Sequence, residues 1–346
     1  MELITLGVDL GRSEIRIYDG EALYTFPTLV GGPVEVVSRG SAKILEETLA
    51  ANLSVKVGKH VYTVGRQALE QPFLFPVNDI DLFAEDLNLV LLLAALGLYV
   101  RKRQLAGTAR FKLGLATPVS LTKRPQYAEQ GAARWTRIHR FEFCGQPMEV
   151  EIAQIEVLPR SLGAIYAATL EGQLDPSPDE LTAVLDPGHL ATDWVVVKLP
   201  KELPRYSGHT TAAAGIRLTE AIADSLFAEG VVRVDPLAAM EAVTTGRYLD
   251  NGREISIPAD LTQELCELMA QHIALTVKQV WRDVSIDNMI LVGGFGQVLF
   301  PLLSQYSYFG SLVLASDSRY FNVKGAYEYV TRVPDRSAVE SVEAQV

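Results

Sequence analysis

Apolar positions along the chain fall into two periods. Short apolar runs bounded by turn residues predict strands near 3–9, 13–19 and 22–26, near 111–116, twice between 138 and 157, and near 182–187 and 192–199. Leu261, Leu265, Leu268, Met269, Ile273, Val277, Val280 and Trp281 recur instead at three and four residues, which predicts a long amphipathic helix with Asp260 as its N-cap. The run Leu87–Val100 is apolar on all sides but falls short of the roughly 20 residues a bilayer requires. With Asp81 near its N-cap, Asp86 and Asn88 at its start and Arg101-Lys102-Arg103 at its end, it reads as a buried helix from about 82 to 102 whose ends suit the helix dipole. Further helices are expected from Ser161 to Leu170 and after Gly215, and a hairpin at Asp250-Asn251-Gly252. The polar residues beyond Pro334 have no apolar period and are expected to form a mobile end.

One strand–turn–strand pattern occurs twice. Gly7-Val8-Asp9-Leu10-Gly11-Arg12-Ser13 and Leu185-Asp186-Pro187-Gly188-His189-Leu190-Ala191-Thr192-Asp193 each run from an apolar strand through an aspartate into a glycine turn. Glycine lets backbone approach a ligand closely, and successive N–H groups in a tight turn form a concavity that suits phosphate. A nucleotide polyphosphate gripped from two sides is the natural candidate. Two carboxylates would repel it unless a hard cation such as Mg2+ intervened, so Asp9 and Asp186 facing phosphate imply metal. Each turn alone is equally a plain hairpin turn, where Asp and Gly are common for local reasons. A third element, Met289-Ile290-Leu291-Val292-Gly293-Gly294-Phe295-Gly296, follows the long helix and ends a strand in glycines that can accept the flat face of a nucleoside.

Composition narrows the classes. At 346 residues two domains are expected, and an apolar fraction of 48% is ample for two cores. A formal charge of −11 argues against a broad basic surface for nucleic acid. Cys144 and Cys266, far apart in apolar surroundings, read as reduced core residues, and a chain that opens directly into a strand is expected to lack a secretory leader and to be cytoplasmic. The histidines His60, His139, His189, His209 and His272 have no metal-ligand spacing. Neither the lysine-bearing phosphate loop of P-loop enzymes nor a serine nucleophile elbow is present.

The order of the three elements resembles the actin-like ATPase superfamily, and within it the ParM-type and archaeal actin-like proteins. The second turn, Asp186-Pro187-Gly188-His189-Leu190-Ala191-Thr192-Asp193-Trp194, is similar to that group's second phosphate loop, and Tyr320-Phe321-Asn322-Val323-Lys324-Gly325-Ala326-Tyr327 to its C-terminal signature. Phe26-Pro27-Thr28, Val61-Tyr62-Thr63-Val64-Gly65 and Leu113-Gly114-Leu115-Ala116-Thr117-Pro118 echo it more weakly. The resemblance implies an α/β, duplicated actin-like (RNase H-like) two-domain fold with an interdomain nucleotide cleft. Domain I would span 1–172 with a smaller subdomain near 30–75, and domain II 173–318 with one near 200–256. A helix at 319–333 would return to domain I, ahead of the tail at 334–346.

Carried to this chain, the resemblance places Asp9 and Asp186 at Mg2+. It places Gly11, Arg12 and Ser13 around the β-phosphate, with Gly188, His189, Leu190 and Ala191 around the γ-phosphate. Gly293, Gly294 and Phe295 would flank the adenosine of ATP, or the base of GTP. Arg16 stands where actin has a phosphate-contacting lysine; a solvated strand arginine is the other reading of it, an outward turn that of His189, and a core position that of Phe295. In the family a Glu or Gln within Pro-Glu/Gln-x-x-Gly-Ala orients the attacking water, whereas this chain has Pro159-Arg160-Ser161-Leu162-Gly163-Ala164. Arginine has no acceptor and cannot act as a base, so slow hydrolysis would rest on positioning and on Arg160 as a source of charge, with Glu156 as a substitute. The function implied is a nucleotide-driven filament that moves plasmid DNA through an adaptor, without strong direct nucleic-acid binding and without membrane contact. The alternatives are a sugar kinase, whose base would fall at Asn78-Asp79, or a nucleotide-binding scaffold without turnover.

Overall fold

The computed structural model describes residues 2–32, 53–75, 77, 82–83, 86–199, 201–250 and 252–334. Asn78-Asp79, Asp81, Asn251 and the tail after Pro334 lie outside these residues, as does all of 33–52. The described chain forms two compact units, one of residues 1–163 and 323–346 and one of residues 164–322. The chain crosses from the first to the second inside the Arg160–Leu170 helix, and crosses back inside the last helix. Gly163 explains the crossing: its Cα lies so near Gly325 that a Cβ would stand 3.0 Å from the Gly325 carbonyl carbon, so this first turn of the helix packs with the first unit.

In chain order the first unit contains β1 (Leu3–Leu10), β2 (Glu14–Tyr18), β3 (Leu23–Pro27), β4 (Val30–Gly31), β5 (Leu53–Val57), β6 (His60–Val64) and β7 (Leu74–Phe75). Then follow α1 (Asp86–Lys102), β8 (Ala109–Thr117), α2 (Val119–Thr122), α3 (Pro125–Trp135), β9 (Ile138–Phe143) and β10 (Gln146–Pro159), which runs straight into α4 (Arg160–Leu170). The second unit contains β11 (Thr182–Pro187), β12 (Thr192–Lys198), β13 (Lys201–Glu202), β14 (Gly208–Thr210), α5 (Ile216–Ala228), α6 (Pro236–Thr245), β15 (Arg247–Asp250) and β16 (Arg253–Ser256). It continues with α7 (Ala259–Val280), β17 (Asn288–Leu291), α8 (Gly296–Leu303), β18 (Leu312–Leu314) and the start of α9 (Phe321–Arg332).

The sheets state the duplication in topology. In the first unit the order β3-β2-β1-β8-β10 begins with antiparallel pairs and continues with parallel ones, before β9-β5-β6-β4-β7 extends the sheet. In the second unit β13-β12-β11-β17-β18 repeats that order and those directions. Each half therefore opens with a hairpin whose first strand lies centrally in its sheet. Central strands have both faces covered, and β1 ends in five buried residues while β11 is buried throughout.

Helix α1 explains its lack of amphipathicity by its place in the core: from Val90 to Val100 every residue is buried, and its apolar side chains share one cluster with β1, β2, β5 and β8. Gly97 lets this helix approach β9, because a Cβ there would sit 2.6 Å from the Phe143 ring. Helix α9 lies on the sheet at Gly7 and Gly114, where a Cβ would run into the Val323 and Ala326 carbonyls. The Lys112 ammonium donates to the Val333 carbonyl at that helix's C-terminal end, where the dipole favours a cation.

Two helical expectations need correction. Asp260 is not the N-cap of α7: Pro258 occupies that position without a side-chain cap, and Asp260 sits inside the first turn, where its charge still suits the dipole. The buried stripe of α7 is Cys266, Met269, Ala270, Ile273, Ala274 and Val277, while Leu268 is 55% exposed, because it lies about 100° around the helix from Met269. Helix α3 carries no expectation from the sequence; Pro125 opens it, and Ala128, Gly131, Ala132 and Trp135, at helical spacing, bury its face.

Candidate functional site

The hairpin of β1 and β2 sets Asp9 directly across from Arg16. Seven residues separate them in sequence, yet the tight turn brings them into register, and side chains opposite one another in an antiparallel pair share a face. Arg16 Nη1 donates to Asp9 Oδ2 at 2.8 Å and its Nε to Glu14 Oε2 at 2.9 Å, all three residues being buried. Paired with these carboxylates, the guanidinium is held above its usual pKa even though burial opposes the charge. Arg16 is thus neither a solvated strand residue nor unpartnered.

Arg160 completes the arrangement. It follows the last residue of β10, and β10 and β8 carry it beside the end of β1, since Asp9 is in register with Ala116 and Ala116 with Leu158. Its Nε donates to Asp9 Oδ1 at 2.9 Å and its Nη2 to the Leu10 carbonyl at 3.1 Å. Each oxygen of a carboxylate only 1% exposed therefore accepts from a different arginine. The turn itself is closed tightly: a Cβ on Gly11 would stand 2.5 Å from the Glu14 carbonyl and 3.3 Å from Arg16 Nη1. Thr28 braces it from β3's end, its Oγ1 donating to the Gly11 carbonyl at 2.6 Å and its N–H to the Ser13 carbonyl at 3.0 Å.

Glu156 is set apart by distance and not by face. It accepts from Gln154 Nε2 at 2.9 Å, and its register with Gly114 and Gly7 puts it on the same sheet face as Asp9, the face that carries α9. Two strands across and one pleat back from Asp9, its Cα stands about 12 Å away by strand geometry.

In the second unit the hairpin of β11 and β12 places Asp186 opposite Asp193, both 5% exposed. Asp186 Oδ2 accepts from Asn322 Nδ2 at 2.7 Å. The turn Gly188–Ala191 is closed by the Gly188 N–H on the Ala191 carbonyl at 2.9 Å, with His189 and Leu190 half-buried at its tip. The carbonyls of Gly188 and His189 accept from the first N–H groups of the α5 region, those of Gly215 and Ile216. Gly293 closes over Asp186: with φ of 85° it adopts a backbone that favours glycine, and a Cβ there would overlap Asp186 Oδ1 and lie 3.0 Å from the Pro187 carbonyl. The Phe295 N–H reaches that same carbonyl at 3.4 Å, so the second acidic turn and the glycine loop form one assembly. A Cβ on Gly294 would lie 3.3 Å from the Met240 sulfur. Phe295 points inward: its ring is 1% exposed and so near Gly215 that no side chain fits there.

Residues 7–163 match the family described as the N-terminal domain of actin-like proteins. The chain has an actin-like fold. It superposes on Ta0583, an archaeal actin homolog, with a TM-score of 0.76 at 17% identity, over 96% of this chain and 100% of that one. Ta0583 has also been solved in complex with ADP. The actin-like protein Alp7A gives a TM-score of 0.77 at 15% identity, over 99% and 100% of the two chains. A 15-stranded ParM filament from Clostridium botulinum gives 0.72 at 20% identity, over 96% and 100%. No curated protein matches the sequence.

A divalent cation does not fit at Asp9, where both oxygens are bonded to guanidinium groups. Asp186 differs, since it lies opposite a second aspartate in the hairpin register and its Oδ2 accepts from an amide, that of Asn322. Among the described residues no group of three or more His, Cys, Asp or Glu is arranged to hold a metal. Four contributors carry no expectation from the sequence: Glu14, Asp193, Asn322 and Thr28. Asp193 was legible from hairpin register, and Asn322 and Thr28 lay within segments already noted for resemblance.

Proposed function

We propose that this chain binds a purine nucleoside triphosphate, ATP or GTP, and assembles into filaments with it, hydrolysing it slowly. The observation that carries the reading is the duplicated hairpin, each copy ending in a buried aspartate at a glycine turn, with the Gly293-Gly294 loop seated on the second copy. Gly11, Arg12 and Ser13 contribute one phosphate-binding turn and Gly188 to Ala191 the other, with Gly293 and Gly294 presenting backbone to the nucleoside. Asp186 is the carboxylate suited to accompany Mg2+. ADP in the Ta0583 complex and polymer formation by ParM support both halves of the reading.

Head-to-tail association of identical copies yields an open polymer when the repeated contact does not close. A filament of this net charge would carry plasmid DNA through an adaptor protein rather than directly. Among the described residues no helix is long and apolar enough to cross a membrane. The test is light scattering and electron microscopy of the chain with and without Mg-ATP or Mg-GTP. Nucleotide-dependent scattering with visible filaments is expected, and a chain that stays monomeric with either nucleotide overturns the filament reading. Arg160 bonded to Asp9 favours a second outcome for hydrolysis alone, a filament that binds nucleotide without measurable phosphate release.

A further inference from the structure

Helix α7 carries a second stripe that the core does not use. Leu261, Glu264, Leu268, Gln271, Leu275 and Lys278 alternate at three and four residues along it, on the side away from Cys266, Met269, Ile273 and Val277, which are buried. Leu268 is 55% exposed and Leu275 62%. Exposed leucines are ordinary when scattered singly. Two of them one heptad apart, about 10 Å along one stripe, are the pattern of a helix that pairs with another helix. The surface beside them is concave on both sides, with one groove against α8 lined by Leu268, Leu302 and Tyr306 and another against α5 lined by Ala213, Leu268 and Leu275.

Charge along the stripe selects the occupant. Glu264 and Glu267 lie in the first half of the helix and Lys278 in its last turn, with Gln271 and His272 between them. Among the described residues the side chains of Glu264, Gln271, His272 and Lys278 have no hydrogen-bond or ion-pair partner. A uniformly acidic or basic partner would satisfy one half of the stripe and be repelled by the other. A second α7 lying parallel would set glutamate against glutamate and lysine against lysine. Lying antiparallel and centred between Gln271 and His272, it brings Leu268 of each copy to Leu275 of the other and Glu264 beside Lys278. We infer that α7 is a two-fold contact between two copies of this chain, formed by antiparallel helices with Leu268 and Leu275 at its centre. Such a contact is isologous and closes on itself, so it is distinct from the head-to-tail contact that propagates a polymer, and it requires no nucleotide.

The experiment is sedimentation equilibrium of the full-length chain from about 1 to about 500 μM, at low ionic strength, in EDTA and without nucleotide, conditions that keep exposed charges unscreened and leave nucleotide-driven assembly out. A contact between two single helices falls at the small end of specific interfaces, so half-dimerisation is expected on the order of 10–100 μM. A chain that stays monomeric up to about 500 μM overturns the inference, whatever it does with Mg-ATP. Glu264→Lys or Lys278→Glu replaces two attractions by two repulsions, because the contact is two-fold, and should weaken the dimer about tenfold. Combining the two substitutions in one chain restores the complementarity and should return the dimer to within about threefold of the parent. A double variant as weak as the single ones, or single variants as tight as the parent, overturns the antiparallel pairing. Leu268→Asp should weaken the dimer at least about tenfold, and dimerisation equal to the parent's refutes the contact. All three substituted side chains are exposed in the single chain, and far-ultraviolet dichroism checks that each variant keeps its fold.

Discussion

Gly293 offers a quantitative test of how the second unit builds its site. Its φ of 85° belongs to the region where an L-residue carries a penalty of about 1–2 kcal/mol. A methyl added there also overlaps Asp186 Oδ1, with the Pro187 carbonyl at 3.0 Å and Asp186 Cγ at 3.4 Å. The carboxylate cannot simply yield, because its other oxygen accepts from Asn322 at 2.7 Å in a buried setting. Overpacking of this kind costs about 1–3 kcal/mol. Gly293→Ala should therefore destabilise the second unit by about 2–5 kcal/mol, which lowers the midpoint of its thermal unfolding by at least about 4 °C at this domain size. Scanning calorimetry of parent and variant measures this directly, and the same preparation should show weakened nucleotide affinity as Asp186 is displaced. A midpoint within 1 °C of the parent, or roughly so given ordinary reproducibility, would show that the loop relaxes freely and that Gly293 is not fixed against Asp186.

The remaining expectations test other parts of the molecule. Gly114→Ala should destabilise the first unit by about 1–3 kcal/mol in denaturant unfolding, because the new methyl pushes the Ala326 carbonyl and lifts α9 from Ala116 and Leu158; an unchanged midpoint would mean that α9 is not seated on the sheet. Glu156→Gln should alter phosphate release by less than about threefold, since its Cα stands about 12 Å from that of Asp9 by strand geometry, and a hundredfold loss would place it in the chemistry after all. Burial, with Glu267 nearby, pushes the Cys266 thiol up to about 11, so its folded form holds its proton. It should resist a disulfide reagent at pH 8 and react on unfolding, and its contribution to stability, full below the unfolded thiol's pKa near 8.5, should fade as pH rises toward 11. His139, buried with Nε2 against the Trp135 carbonyl at 2.8 Å, has its pKa lowered chiefly by desolvation. Its stabilising effect is therefore present above the ordinary histidine value near 6.5 and is lost as pH falls through the depressed one, and His139→Gln should flatten the acid limb of a stability–pH curve.

The amino-acid sequence alone determined the strands, the two acidic turns, the buried character of α1 and the order of elements that points to an actin-like fold. These are local matters: apolar period, turn chemistry and glycine placement are written within a few residues of where they act. Even the pairing of Asp9 with Arg16 follows from a hairpin whose turn length fixes its register. Tertiary structure decided what that aspartate is for. Arg160 stands 151 positions away in sequence from Asp9, and only the parallel alignment of β1, β8 and β10 brings their ends together and converts an acidic turn into an arginine-held one. It likewise decided that Phe295 turns inward, that Asn322 reaches Asp186, and that the buried face of α7 runs through Cys266 and Met269 rather than Leu268. Side chains are assigned to core, partner or surface by what other elements bring beside them, and no stretch of sequence contains that information about its distant neighbours.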